Sequence, residues 1–159
     1  MEVNKISPCL WFNDNAEEAV NFYISVFKNA RIKDMVPYGA TNPNGKTGSV
    51  MLITFEIEGQ EFMALNGGPQ FQFCPAISLR INCDTQREID TLWEKLSEGG
   101  KPGECGWLVD KFGVSWQVMP SIIADMLKDE VAAKRDKVID ALHSMQKLDI
   151  DKIKEAYEG

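Results

Sequence analysis

Laid over itself with a shift of 70 residues, the chain repeats its own pattern: Asp14 falls on Asp84, Glu18 on Glu88, Phe22 on Leu92, Tyr23 on Trp93 and Val26 on Leu96. An internal repeat of this kind restricts the fold more than composition can, because each copy must form the same unit and both must bury what one copy leaves open. In the first copy, Ile6 to Phe12 alternates and reads as a strand, closed by Asn13-Asp14-Asn15. Asn15 can cap the helix that follows, Glu17 and Glu18 suit the positive end of its dipole, and Ala19, Val20, Phe22, Tyr23, Val26 and Phe27 recur at helical spacing. Arg31 to Val36 predicts a strand, and the Pro-, Gly- and Asn-rich segment 37–48 a long mobile loop. Val50 to Ile57 and Gln60 to Leu65 then form a hairpin about Glu58-Gly59, and the copy closes at Asn66-Gly67-Gly68-Pro69.

The second copy has a strand from Ala76 to Asn82 and a helix from Gln86 to Glu98, with Ile89, Leu92, Trp93 and Leu96 inward and Gly99-Gly100 as its stop. Gly106 to Val109 and Val114 to Met119 follow as strands about Asp110-Lys111-Phe112-Gly113. The predicted fold is therefore α+β: two β-α-β-β-β modules, about 1–69 and 70–120, forming a cupped, barrel-like sheet with helices outside. At 159 residues and 44% hydrophobic, residues 1–120 suit one well-buried domain, with residues 121–159 as a helical extension. From Ser121 the pattern reads as continuous amphipathic helix through Val131, Val138, Leu142, Met145 and Leu148, with Asp149 capping a last short helix. Its apolar stripe either covers a flank of the body or clamps a dimer.

Seventeen basic and twenty-four acidic residues give a net charge of −7, and the basic residues gather into no stripe that could follow a phosphate backbone, so nucleic acid is not an expected partner. No apolar run is long enough to span a bilayer, and the opening Met1-Glu2-Val3-Asn4-Lys5 leads into no signal-type stretch, which points to a cytoplasmic protein. Cys9, Cys74, Cys83 and Cys105 have no C-x-x-C spacing and are expected as buried free thiols, Cys105 being the one best placed for exposure.

The segments Leu10 to Tyr23 (LWFNDNAEEAVNFY), Phe62 to Pro69 (FMALNGGP), Cys105 to Gln117 (CGWLVDKFGVSWQ) and Lys147 to Ile150 (KLDI) together resemble the PhnB-like branch of the vicinal oxygen chelate superfamily, which includes glyoxalases, bleomycin-resistance proteins and dihydroxybiphenyl dioxygenases. The resemblance implies the paired-module fold and a homodimer, but no one reaction, because this fold hosts many. Members of the branch often carry a demethylubiquinone methyltransferase name, yet no Gly-rich loop joins a strand to a helix here to hold S-adenosylmethionine. No cofactor is expected.

In metal-dependent relatives, inward residues near the first and last strands of each module bring His, Glu or Gln to one divalent ion. The matching positions here are Pro8, Ala64 or Asn66, Ala76 or Ser78, and Gln117, of which only Gln117 keeps a ligand residue type. His143, the single histidine, lies in the tail, so one chain cannot assemble a two-His-one-carboxylate centre. With Pro8, Ser78 and Gln117 inward, Leu10, Arg80, Ser115 and Met119 share those faces, while Cys9, Trp11, Ile77, Leu79, Ile81, Trp116 and Val118 pack against helices. The expected function is metal-free binding of a small organic molecule, anchored by Arg80, Gln117 and Ser78, with Tyr38 and Phe71 as aromatic walls. Arg80 suits a carboxylate or phosphonate, whereas the overall acidity suits a cation. A metal-dependent lyase, isomerase or dioxygenase and a metal-free enzyme stay open as alternatives, as does whether cups form within or between chains.

Overall fold

The computed structural model describes residues 4–42 and 45–159; Met1, Glu2 and Val3 of the opening segment, and Pro43 and Asn44 of the loop, lie outside the described residues. The chain forms two compact units, Met1–Phe73 and Cys74–Gly159.

The first unit runs β1 (Cys9–Phe12), α1 (Ala16–Val26), β2 (Ala30–Pro37), β3 (Val50–Ile57) and β4 (Gln60–Asn66), in a sheet of order β1-β4-β3-β2 with β1 parallel to β4. The predicted hairpin is present, with both Glu58 (φ 48°) and Gly59 (φ 80°) in left-handed backbone, as a two-residue turn between twisted strands requires. Helix α1 buries Ala16, Ala19, Val20, Tyr23 and Val26, and the Tyr23 ring stacks on Phe55 with centroids 6.4 Å apart. Asn15 does stand at its N-cap position, but its side chain makes no capping bond; Asn66 Oδ1 accepts from Ala16 N at 2.9 Å instead, tying the helix to the end of β4. An amide reaching in from a neighbouring strand satisfies the same exposed helix donors as a local cap would.

The second unit repeats the order as β5 (Ser78–Cys83), α2 (Gln86–Ser97), β6 (Lys101–Pro102), β7 (Trp107–Val109) and β8 (Ser115–Pro120), in a sheet of order β5-β8-β7-β6 with β5 parallel to β8. Here the cap is local, Thr85 accepting from Glu88 N. The predicted β-α-β-β-β modules and α+β class are thus present, as two open four-stranded mixed sheets rather than one continuous barrel. Strand β6, two residues long, completes the second module inside a segment whose glycines conceal it in the sequence. The buried turn carboxylate Asp110 organises the hairpin β7–β8, accepting from Phe112 N at 2.9 Å, Val114 N at 3.0 Å and Trp116 Nε1 at 2.8 Å.

The tail is not one helix. It forms α3 (Ile123–Met126), α4 (Ala132–His143) and α5 (Ile150–Glu158), and Asp149 caps α5 as expected, accepting from Asp151 N and Lys152 N. Between α4 and α5 the carbonyls of Met145 and Gln146 are taken by the N–H groups of Cys105 (2.7 Å) and Gly106 (2.9 Å), bonds that replace those of a continuing helix. Ile123, Val138, Leu142, Leu148 and Ile153 bury one another with Met119, whereas Val131, expected in the apolar stripe, is exposed. Among the described residues, no helix is long and apolar enough to cross a membrane.

Candidate functional site

Period-2 alternation sorts each strand's side chains between two faces, and burial shows which face meets the helix. In the second unit Leu108, Trp116 and Val118 are buried on the α2 side, with Leu79 and Ile81 sharing their parity. The opposite face presents two rows across β5, β8 and β7: Arg80, Gln117 and Trp107 in one, Ser78, Ser115 and Val109 in the next. The strands therefore bring three residues singled out from sequence, Ser78, Arg80 and Gln117, onto one face, with the expected parity.

The geometry of these groups differs. Gln117 Nε2 donates to Ser78 Oγ at 2.8 Å, so each side chain fixes the other. Arg80 is exposed and donates from Nε to Asn82 Oδ1 at 3.1 Å, while its two terminal nitrogens have no protein acceptor among the described residues. Ser115 is 2% exposed and its hydroxyl has no hydrogen-bond partner among the described residues. Buried hydroxyls are rarely left so, because forfeiting water without a replacement bond costs about 1–3 kcal/mol. Met119, which shares this parity, belongs instead to the core of the tail helices.

The first unit corrects the inward assignment. Leu10, Phe12 and Ala64 are buried on the α1 side with Phe55, so Pro8 and Ala64 have the helix-side parity, and Cys9 and Trp11 lie opposite. A one-residue error in strand parity exchanges the two faces completely. The residues at that level on the face opposite α1 are Ser7 and Glu61, which the sequence reading missed: Ser7 Oγ donates to Glu61 Oε1 at 2.6 Å and Lys33 Nζ to Glu61 Oε2 at 2.5 Å. Glu61 is buried, and the Lys33 ammonium, with Ser7, holds its carboxyl below the usual range. A signal was present: the pair Ile6-Ser7 returns as Ile77-Ser78 at a shift of 71, one more than the helices show.

The two expected aromatic walls separate. Phe71 is exposed and meets Trp11 edge to face, centroids 5.0 Å apart, on the face opposite α1. Tyr38 does not stand free on the loop: it is buried, its hydroxyl donates to the Asn66 backbone oxygen, and Gly45 lies so close that an added Cβ would sit 2.1 Å from the ring. Asn66, weighed above as a ligand, has its amide engaged by Ala16 N and Val50 O. Of the cysteines only Cys83 is buried; Cys9 and Cys74 are exposed and Cys105 is half-buried, since its backbone is stitched to the tail. His143 is exposed at the C-terminal end of α4, outside the strands of either module.

These donor sets do not fit a resident divalent ion. Glu61 already carries an ammonium and a hydroxyl, Ser78 and Gln117 are neutral groups bonded to each other, and no three of His, Cys, Asp and Glu gather among the described residues. The strand-to-helix connections, 13–15 and 84–85, contain no glycine, so neither offers the Gly-rich turn on which S-adenosylmethionine would rest.

Residues 4–119 match the family model described as 3-demethylubiquinone-9 3-methyltransferase. A PhnB protein from Bacillus cereus is 40% identical, its solved structure superposing with a TM-score of 0.67 over 74% of this chain and 99% of that one. A protein from Pseudomonas aeruginosa is 25% identical, with a TM-score of 0.59 over 72% and 95% of the two chains. The fosfomycin resistance protein FosX from Mesorhizobium loti, 14% identical with a TM-score of 0.55 over 81% of this chain and 100% of its own, shares the fold. No curated protein matches the chain. The family match stops at residue 119, leaving Lys147 to Ile150 and the tail helices outside it. The chain therefore belongs to the 3-demethylubiquinone-9 3-methyltransferase family, to which its PhnB relative from Bacillus cereus is likewise assigned by name.

Proposed function

We propose that this protein binds a small organic molecule, without a metal ion, on the face of the second module opposite α2. The observation that carries the reading is the row Arg80-Gln117-Trp107 beside Ser78 and Ser115: a guanidinium with both terminal nitrogens unpaired among the described residues, a neutral amide fixed by a serine, and an aromatic ring in adjacent register. Such a combination suits a ligand with one polar end and an apolar body, the usual division of labour in small-molecule sites.

Absence of a metal is part of the proposal, supported by the neutral Ser78–Gln117 pair and by Lys33 occupying Glu61. We place the protein in a reducing compartment, the cytoplasm, in keeping with its four free thiols, and as the homodimer its family resemblance implies. The test is mass spectrometry of small molecules released by denaturing protein purified without a His tag, with metal analysis of the same sample. The expected result is a co-purifying organic compound that Arg80→Ala loses, and no stoichiometric divalent ion. A stoichiometric metal whose removal abolishes binding would contradict it.

A further inference from the structure

Ser115 is the residue on this face that the fold itself does not explain. Its hydroxyl is buried and without a partner among the described residues, and it sits between Ser78 and Val109, one row from Arg80 and Gln117. Ser78, directly opposite in the parallel register, makes no bond to it; its Oγ accepts from Gln117 instead. At the matching level of the first module the same kind of position, Glu61 on β4, is also buried but fully served by Ser7 and Lys33. One copy of the module therefore pairs its buried polar position internally, and the other leaves its buried hydroxyl without a partner among the described residues.

Charge decides what could fill it. By register, this face of β5, β8, β7 and β6 carries Arg80 and Lys101 as its charged residues and no carboxylate. Asp110, the nearest acidic residue in the hairpin, is buried and turned to Trp116 and to its own turn. A chain of net charge −7 thus presents a locally cationic, donor-rich face here.

Resting on the reading above, we propose that the ligand is an oxyanion, a carboxylate or phosphonate with an apolar body, whose charged end takes the terminal nitrogens of Arg80 and whose oxygen accepts the buried hydroxyl of Ser115. The planar fork of Arg matches such a group in two parallel bonds, and a buried serine adds discrimination because it rejects an analogue that cannot pair with it. Ser115 is then a specificity residue, held ready by the strand at the expense of an unsatisfied hydroxyl in the ligand-free state.

The experiment is calorimetric titration with benzoate, phenylphosphonate and benzamide, on the parent, Arg80→Ala and Ser115→Ala, together with thermal melts of all three proteins. The expected result is binding of one or both anions and not of benzamide, weakened about tenfold or more by either substitution. Benzoate and phenylphosphonate separate the two acid classes. Ser115→Ala should melt at or above the parent temperature, since it removes an unpaired hydroxyl, so weakened binding cannot be ascribed to misfolding. If Arg80→Ala weakens binding and Ser115→Ala does not, the role of Ser115 falls while the binding face stands. Equal binding of benzamide overturns the anion class. If neither anion binds, or both variants bind them as the parent does, the inference fails, and the latter result also removes the ligand from this face.

Discussion

Ser7 and Ser78 stand at corresponding places ahead of and at the start of the first strand in each module, yet their hydroxyls act in opposite senses: Ser7 donates to Glu61 at 2.6 Å, and Ser78 accepts from Gln117 at 2.8 Å. The carboxylate of the first pair draws in Lys33 and becomes a buried ion pair. The amide of the second stays neutral, and beside it the Arg80 terminal nitrogens and the buried Ser115 hydroxyl have no partner among the described residues. The duplicated scaffold thus carries a fully paired polar cluster in one copy and an incompletely paired one in the other.

The Glu61 cluster makes stability depend on acidity. Its carboxyl is lowered in the folded protein by Lys33 and then Ser7, so the stabilisation is present above the unfolded value, about 4.3, and is lost as pH falls through the lower folded value. Denaturant unfolding at a series of pH values should show stability declining below about pH 4.3. Glu61→Gln should flatten that decline; an unchanged profile would show that the ion pair does not contribute.

Asp110 holds the β7–β8 hairpin through three donors at once. Asp110→Ala would orphan all three, and is expected to cost about 3 kcal/mol or more in equilibrium unfolding. Asp110→Asn should recover only part, because its amide turns an N–H donor toward one of them.

Gly106 joins the second sheet to the tail. Its φ is 78°, and an added Cβ would lie 2.8 Å from the Val118 oxygen and 2.9 Å from Leu148 Cδ1. Gly106→Ala should therefore destabilise by at least about 1–3 kcal/mol, the cost of the backbone conformation alone. Hydrogen exchange should rise first at Cys105 and Gly106, whose N–H groups bond to Met145 and Gln146.

The thiols should react in an order set by exposure. Burial, reinforced by Glu88 and Asp84, pushes the Cys83 thiol up to about 12, whereas Cys74 is exposed. Labelling with iodoacetamide at pH 8, read by peptide mapping, should modify Cys74 early and spare Cys83 until the protein unfolds.

Much of this architecture was legible because the helices repeat: Asp14 on Asp84 and Tyr23 on Trp93 locate both modules, and the strands flank them. The strand parity of the second module was legible as well, since Trp116 and Val118 are plainly apolar between Ser115, Gln117 and the turn. The first module's was not. Cys9, Leu10, Trp11 and Phe12 are apolar throughout, and alternation cannot choose a face where every residue would be content on either. The error hid Glu61, Ser7 and Trp11, although the recurrence of Ile-Ser would have set the parity. The cap from Asn66, the break in the tail at Met145 and Gln146, and the burial of Tyr38 all depend on distant partners, which local sequence does not encode.

Arg80 and Ser115 are proposed to hold a ligand's oxyanion with no metal between them. A crystal structure of chelator-treated protein soaked with phenylphosphonate tests it directly, with anomalous scattering to detect bound metals. The expected result is phosphonate oxygens within hydrogen-bonding distance of the Arg80 terminal nitrogens and Ser115 Oγ, with no anomalous peak beside them. Phosphonate bound elsewhere, or held through a metal ion retained from the cell, would contradict it.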